Sequence, residues 1–143
     1  MAELLLIVRL AGERVALPAC EVEAVVALEA VTPVPRAAPH VKGLAALRSR
    51  VLTVIDCLVT LNAGRIAEGA GEAVIVPSDG HAYVLLVDSV DDVIETAGPR
   101  LPLAAPLAPA WARVALGMVE AGGDLLLLVD PHALIGGAAR DAA

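Results

Sequence analysis

The chain has 143 residues, 58% of them hydrophobic and 19% charged, with a formal net charge of −7. That length suits one domain, or two half-sized units around a shared core, and the apolar content excludes general disorder. The acidity, with one Trp, one Tyr and no Phe, also excludes a nucleic-acid binder, which needs cations for phosphate and rings for stacking.

The N-terminal apolar run Leu4–Leu10 ends at Ala11-Gly12-Glu13 and resumes at Arg14–Leu17, which predicts a hairpin with glycine free to take a positive φ. Leu17-Pro18-Ala19-Cys20 imitates a lipoprotein cleavage box. A signal peptide wants a positive start and an unbroken apolar core, whereas Glu3, Arg9, Glu13 and Arg14 interrupt this one. A cytoplasmic protein is therefore expected, with Cys20 and Cys57 as buried, reduced thiols. Val22, Val25 and Val26 have helical spacing, so Ala19–Val25 predicts a short amphipathic turn before a strand from Val26. Pro33, Pro35 and Pro39 mark an extended connector. Val41–Leu47 and Val51–Asp56 read as strands joined by the turn Arg48-Ser49-Arg50, and Cys57–Leu61 is helix-compatible.

Ala63–Gly71 is the most loop-like stretch and the predicted junction between halves. Beyond it, Ala73–Val76 and His81–Val87 flank Asp79-Gly80, a strong hairpin-turn pair. Val90–Glu95 continues as turn or strand with Asp91 and Asp92 outward. A connector runs from Pro99 to Pro109. The uncharged stretch Leu101–Ala112 contains three prolines, so it cannot supply the roughly 20 apolar residues of a spanning helix. Leu116–Ala121 and Leu125–Val129 form a last hairpin around Gly122-Gly123, then Pro131–Ile135 is again helix-compatible and Gly136–Ala143 is a frayed tail. Nine or ten short strands with little helix predict an all-β chain of closed or nearly closed barrels.

The chain also repeats itself. GLAALRSRVLTVID from Gly43 matches GMVEAGGDLLLLVD from Gly117, and GERVALPACEVEAVV from Gly12 matches GHAYVLLVDSVDDVI from Gly80. A spacing of about seventy residues is too long for a solenoid and fits two similar β-rich units. The expected division is one domain over 1–143, with a first half about 1–62, a junction 63–71, a second half about 72–136 and a tail 137–143.

Catalytic chemistry finds no constellation. His40, His81 and His132 lie on separate elements without ligand spacing, which predicts exposed turn histidines and no metal. Asp88, Asp91, Asp92 and Glu95 alternate with Val90, Val93 and Ile94 as a solvated face rather than a carboxylate pair. Asp56 and Asp130 end apolar strands where each can cap the following helical turn. No serine lies in a nucleophile-elbow context, and AEGAGEA lacks the end of a phosphate loop. No cofactor is expected, and a compact acidic β protein with apolar surface to spare fits an interaction module.

Val41–Asp56, VKGLAALRSRVLTVID, resembles the signature of CheW-like domains, the coupling proteins of bacterial chemotaxis. That signature carries glycine third, an Asn-Leu-Arg-Gly centre and a closing proline, two aliphatics and aspartate. The likeness runs through LPACEVEAVV, TPVPRAAPHVKG, LLVDSVDDVIE and GMVEAGGDLLLLVDPHALI. It implies two intertwined five-stranded SH3-like barrels across a common apolar core, with no enzymatic activity. It implies two partners, the cytoplasmic tip of methyl-accepting receptors and the regulatory domain of the histidine kinase CheA. Carried over, the receptor side comprises Val22, Ala24, Val25, Arg48 and Val93, with Arg48 equally suited to bracing its hairpin through carbonyl bonds. Ser49 and Arg50 fall on the kinase side. Ala46 replaces the usual Asn, Ser49 the Gly, Thr53 the Pro, and Ala24 a frequent receptor-contacting Glu. These departures leave the apolar frame intact and favour, as the alternative, a regulator that binds only the kinase.

Overall fold

Four strands are apolar at nearly every position because they are buried on both faces. In a computed structural model that describes residues 3–28, 30–66, 72–96, 98–103 and 105–136, these are β1 (Glu3–Leu10), β2 (Glu13–Pro18), β6 (Glu72–Ser78) and β7 (His81–Leu86). Successive side chains of a strand point to opposite faces. Leu5 and Ile7 of β1 and Ala16 of β2 therefore enter one interior with Val119, Leu126 and Leu128. Leu6, Val8, Leu10, Val15 and Leu17 enter a second core with Val74, Val76, Leu85 and Val129. On β6 and β7, Ala73, Ile75, Val84 and Leu86 line a third interior with Leu52 and Val54. The middle core is shared between two barrels. Each aliphatic side chain fully buried there contributes about 1.5–3 kcal/mol relative to exposure.

The remaining strands are β3 (Ala24–Ala27), β4 (Val41–Leu47), β5 (Arg50–Asp56), β8 (Ser89–Thr96), β9 (Ala115–Ala121) and β10 (Asp124–Val129). One sheet runs β8-β1-β2-β10-β9 and the other β3-β6-β7-β5-β4. Under the sequence repeat, β1 corresponds to β6, β2 to β7, β3 to β8, β4 to β9 and β5 to β10, so the two sheets have the same order. Each sheet takes strands from both halves of the sequence, joined by parallel pairs, β10 on β2 and β5 on β7. This is the intertwining that the resemblance implies. Edges are then tied down locally. Thr32 and Leu44 exchange two main-chain bonds of 2.8 Å, and so do Leu101 and Met118. Thr96 Oγ1 donates to the Glu120 carbonyl at 2.6 Å, linking β8 to β9.

Among the described residues three short helices complete the fold: α1 (Cys57–Thr60), α2 (Pro109–Val114) and α3 (Pro131–Gly136). Both aspartate caps form. The Leu58 amide donates to Asp56 Oδ1 at 3.0 Å, and the His132 amide donates to Asp130 Oδ1 at 2.9 Å. Helix α2 is a correction to the connector reading, since Pro109 occupies its first turn, where a missing N–H costs nothing. The β3 strand starts at Ala24, earlier than the predicted Val26, after a single 3-10 turn at Ala19–Glu21. The expected junction lies partly outside the described residues at 67–71, and the expected tail at 137–143 lies wholly outside them.

Two further expectations fail. Cys20 is exposed, because the 3-10 turn swings it off the end of β2, whereas Cys57 is fully buried. Burial, reinforced by the charges of Asp56 and Asp88, pushes the Cys57 thiol up and leaves it unreactive. Nor are the histidines all exposed in turns. His40 is only 6% exposed and His132 is half-buried in a polar network, while His81 remains exposed at the start of β7. Among the described residues no helix is long and apolar enough to cross a membrane, and no group of three His, Cys, Asp or Glu could hold a metal ion.

Candidate docking surface

The segment Glu21–Val25 leaves the 3-10 turn and enters β3 with alternating direction. Glu21, Glu23 and Val25 face outward, while Val22 packs against the shared core and Ala24 against the β3–β7 barrel interior. The receptor set is thereby divided. Val22 and Ala24 are half-buried and support the strand, whereas Val25 is 44% exposed and available for contact. Val93, its counterpart under the repeat, is 56% exposed on β8. The two valines occupy end strands of different sheets, one on each barrel.

Arg48 and Ser49 form the two-residue turn between β4 and β5, both left-handed, with φ of 49° and 67°. Such a turn matches the twist of an antiparallel pair and normally uses glycine or asparagine. Both side chains are exposed. Among the described residues the exposed Arg48 guanidinium makes no hydrogen bond or ion pair. Arg50 is different. Its Nη2 lies 2.6 Å from Glu23 Oε2, an ion pair that ties the start of β5 to the start of β3. The ion pair therefore joins Arg50 to the residue two positions before Val25. Ala46, in the family's Asn position, is exposed on β4, and Thr53 is half-buried on β5.

Within the acidic run, Asp91 is held in ion pairs. A bulge opposite Ile7 and Val8 turns Asp91 toward Arg9 at 3.3 Å and Arg14 at 3.6 Å. Asp88 accepts the Gly12 amide at 2.9 Å, and Asp92 accepts the Val93 amide at 2.8 Å. No two of these carboxylates share a site, so nothing splits their proton affinities into acid and base. Sequence reasoning missed Glu21, Glu23 and His132. The alternation Glu-Val-Glu-Ala-Val signalled an outward acidic row, but His132 meets Glu21 from 111 positions away, at 2.5 Å.

A family model for the CheW-like domain matches residues 4–139. The fold is also that of the scaffolding protein TtCheW from Thermoanaerobacter tengcongensis, with a TM-score of 0.81 and 23% identity over 94% of this chain and 92% of that one. No curated protein matches the sequence. With a match that spans nearly the whole chain and a double barrel in the corresponding arrangement, this protein belongs to the CheW-like domain family.

Proposed function

We propose that the chain is a cytoplasmic chemotaxis adaptor that couples methyl-accepting receptors to the histidine kinase CheA by protein–protein binding. The observation that carries this reading is CheW-like family membership over residues 4–139, a family of scaffolds and adaptors rather than enzymes. The surface chemistry supports it. Val25 and Val93 offer small apolar anchors, and Arg48, exposed at the β4–β5 turn, offers five donors in a rigid fork. A few such residues dominate the energy of an interface. Receptor contact is assigned to Val25, Arg48 and Val93, with Val22 and Ala24 holding the strand from beneath. Kinase contact is assigned to Ser49 and Arg50.

The test is a titration of the purified chain against a receptor-tip fragment and, separately, against the regulatory domain of CheA. Saturable micromolar binding to both is expected. Arg48→Ala and Val25→Asp should each weaken the receptor titration by about tenfold or more, the loss typical of a central contact residue, with the fold retained. Unchanged receptor binding in both variants would remove the assigned surface.

A second reading has its own support. Ala24 and Ala46 stand where the family carries Glu and Asn, so two polar receptor anchors are missing. A regulator that binds only the kinase follows if the receptor titration is flat while the kinase titration saturates.

A further inference from the structure

We propose that His132 is a positioning residue of the β3 edge: through Glu21 it fixes the strand that presents Val25, and so sets receptor affinity. The inference rests on the adaptor reading above. It starts from how little else holds this strand. β3 has four residues, lies at the end of its sheet and, among the described residues, pairs with β6 alone. The outward row Glu21, Glu23 and Val25 is gripped at its first two positions, by His132 and Arg50, and left open at the third.

The grip at Glu21 is built to be rigid. His132 Nε2 lies 2.5 Å from Glu21 Oε2, and Nδ1 lies 3.0 Å from Ser78 Oγ. The neutral ring donates from Nε2 to the carboxylate and accepts the Ser78 hydroxyl proton at Nδ1. The protonated ring donates at both nitrogens, and the hydroxyl then accepts, so both states are satisfied. The ring's own helix is anchored as well. Asp130 caps the His132 amide, Thr60 Oγ1 donates to the Leu134 carbonyl at 3.1 Å, and His40 Nε2 bonds the Ile135 carbonyl at 2.9 Å. With Pro131 and Leu134 buried, α3 is a fixed mount that reaches the 3-10 turn and the end of β6 together. Its role is to position Glu21 and the strand behind it, without touching the partner.

The experiment compares His132→Ala and His132→Gln with the unmodified chain by receptor-fragment titration, CheA regulatory-domain titration and amide hydrogen exchange over residues 19–27. His132→Ala should weaken receptor binding about three- to fivefold, the range a single part-exposed hydrogen bond supplies, and speed exchange in that segment. Kinase binding and the midpoint of thermal unfolding should stay near those of the unmodified chain. His132→Gln keeps an N–H donor within reach of Glu21 and should restore receptor affinity to within about twofold. Faster exchange with unchanged receptor affinity, or unchanged exchange, overturns the proposal. If His132→Ala does not fold, Glu21→Ala removes the same link from its other end and is held to the same outcomes. If the unmodified chain binds no receptor fragment, the adaptor reading fails, and with it the affinity role. Exchange over 19–27 then still decides whether His132 fixes the strand.

Discussion

The β4–β5 hairpin and its counterpart β9–β10 share a framework and differ at the tip. Each carries a one-residue bulge on its first strand, at Lys42 and at Leu116, followed by a glycine with a large positive φ, Gly43 at 155° and Gly117 at 144°. Each glycine lies against the carbonyl of a connector residue, and each hairpin ends in an aspartate that caps a helix. Each also exposes an aliphatic residue after the turn, Val51 at 68% and Leu125 at 54%. At the turn itself the copies part. Gly122-Gly123 takes φ of 60° and 85° without penalty, while Arg48-Ser49 takes 49° and 67° with side chains attached. A side chain in that conformation costs roughly 1–2 kcal/mol. The framework is duplicated because it folds the barrel. Of these two tips only β4–β5 carries side chains in the left-handed conformation, which Ala11, Arg36, Asn62 and Asp79 adopt elsewhere in the chain.

The largest expected effects test the shared framework. A Cβ on Gly117 would lie 2.6 Å from the Leu101 carbonyl oxygen, and one on Gly43 would collide with the Thr32 oxygen and the Val31 side chain. Gly43→Ala and Gly117→Ala should each destabilise by about 3 kcal/mol, combining overpacking with an unfavourable φ. Urea unfolding followed by fluorescence of Trp111, the single tryptophan, which packs on the shared core, measures both. A large effect at one glycine and none at the other would break the equivalence of the two hairpins.

The caps give the next effect and make the comparison unequal in a defined way. Asp56 is 3% exposed and its two oxygens accept from Leu58 at 3.0 Å and from Ile66 at 2.9 Å. Asp130 is half-buried, and among the described residues its side chain accepts from His132 alone. Asp56→Ala leaves two buried amides unsatisfied and should cost about 2–4 kcal/mol. Asp130→Ala should cost about 1 kcal/mol, the ordinary value of a lost cap. Equal losses in urea unfolding would mean that the Ile66 bond contributes nothing.

Much of this was readable in the sequence, and the reasons are local. Hairpins announce themselves through apolar runs bounded by Gly12, Asp79-Gly80 and Gly122-Gly123, and the capping aspartates through their place after a strand. What was not readable depends on partners far apart in sequence. An all-apolar strand such as β1 cannot say that Leu5 and Leu6 enter different cores, because both faces look alike until the second barrel is placed. Three prolines hid α2, although Pro109 is a favourable way to begin it. In the candidate site, Val25, Arg48 and Val93 are exposed. Val22 and Ala24 are not, because the 3-10 turn sets the phase of β3 so that positions 21, 23 and 25 face outward. His40 and His132 lie within segments that carry the family likeness, but their partners become visible only when α3 docks.

The smallest effect bears most directly on what separates the two hairpins. If Ser49 is held in a left-handed conformation for the sake of a partner, replacing it with glycine should relieve the strain and stabilise the free protein. Ser49→Gly is expected to raise stability by about 1 kcal/mol, and Gly123→Ser to lower it by a similar amount. The same Ser49→Gly protein, titrated against the CheA regulatory domain, distinguishes strain that serves binding from strain without a purpose. A more stable protein that binds the kinase less tightly would place the Ser49 side chain in the interface. Greater stability with unchanged kinase binding would remove Ser49 from it and leave the turn's function with Arg48. No gain in stability would mean that the serine hydroxyl compensates its backbone locally, and the two hairpin tips would then be energetically alike.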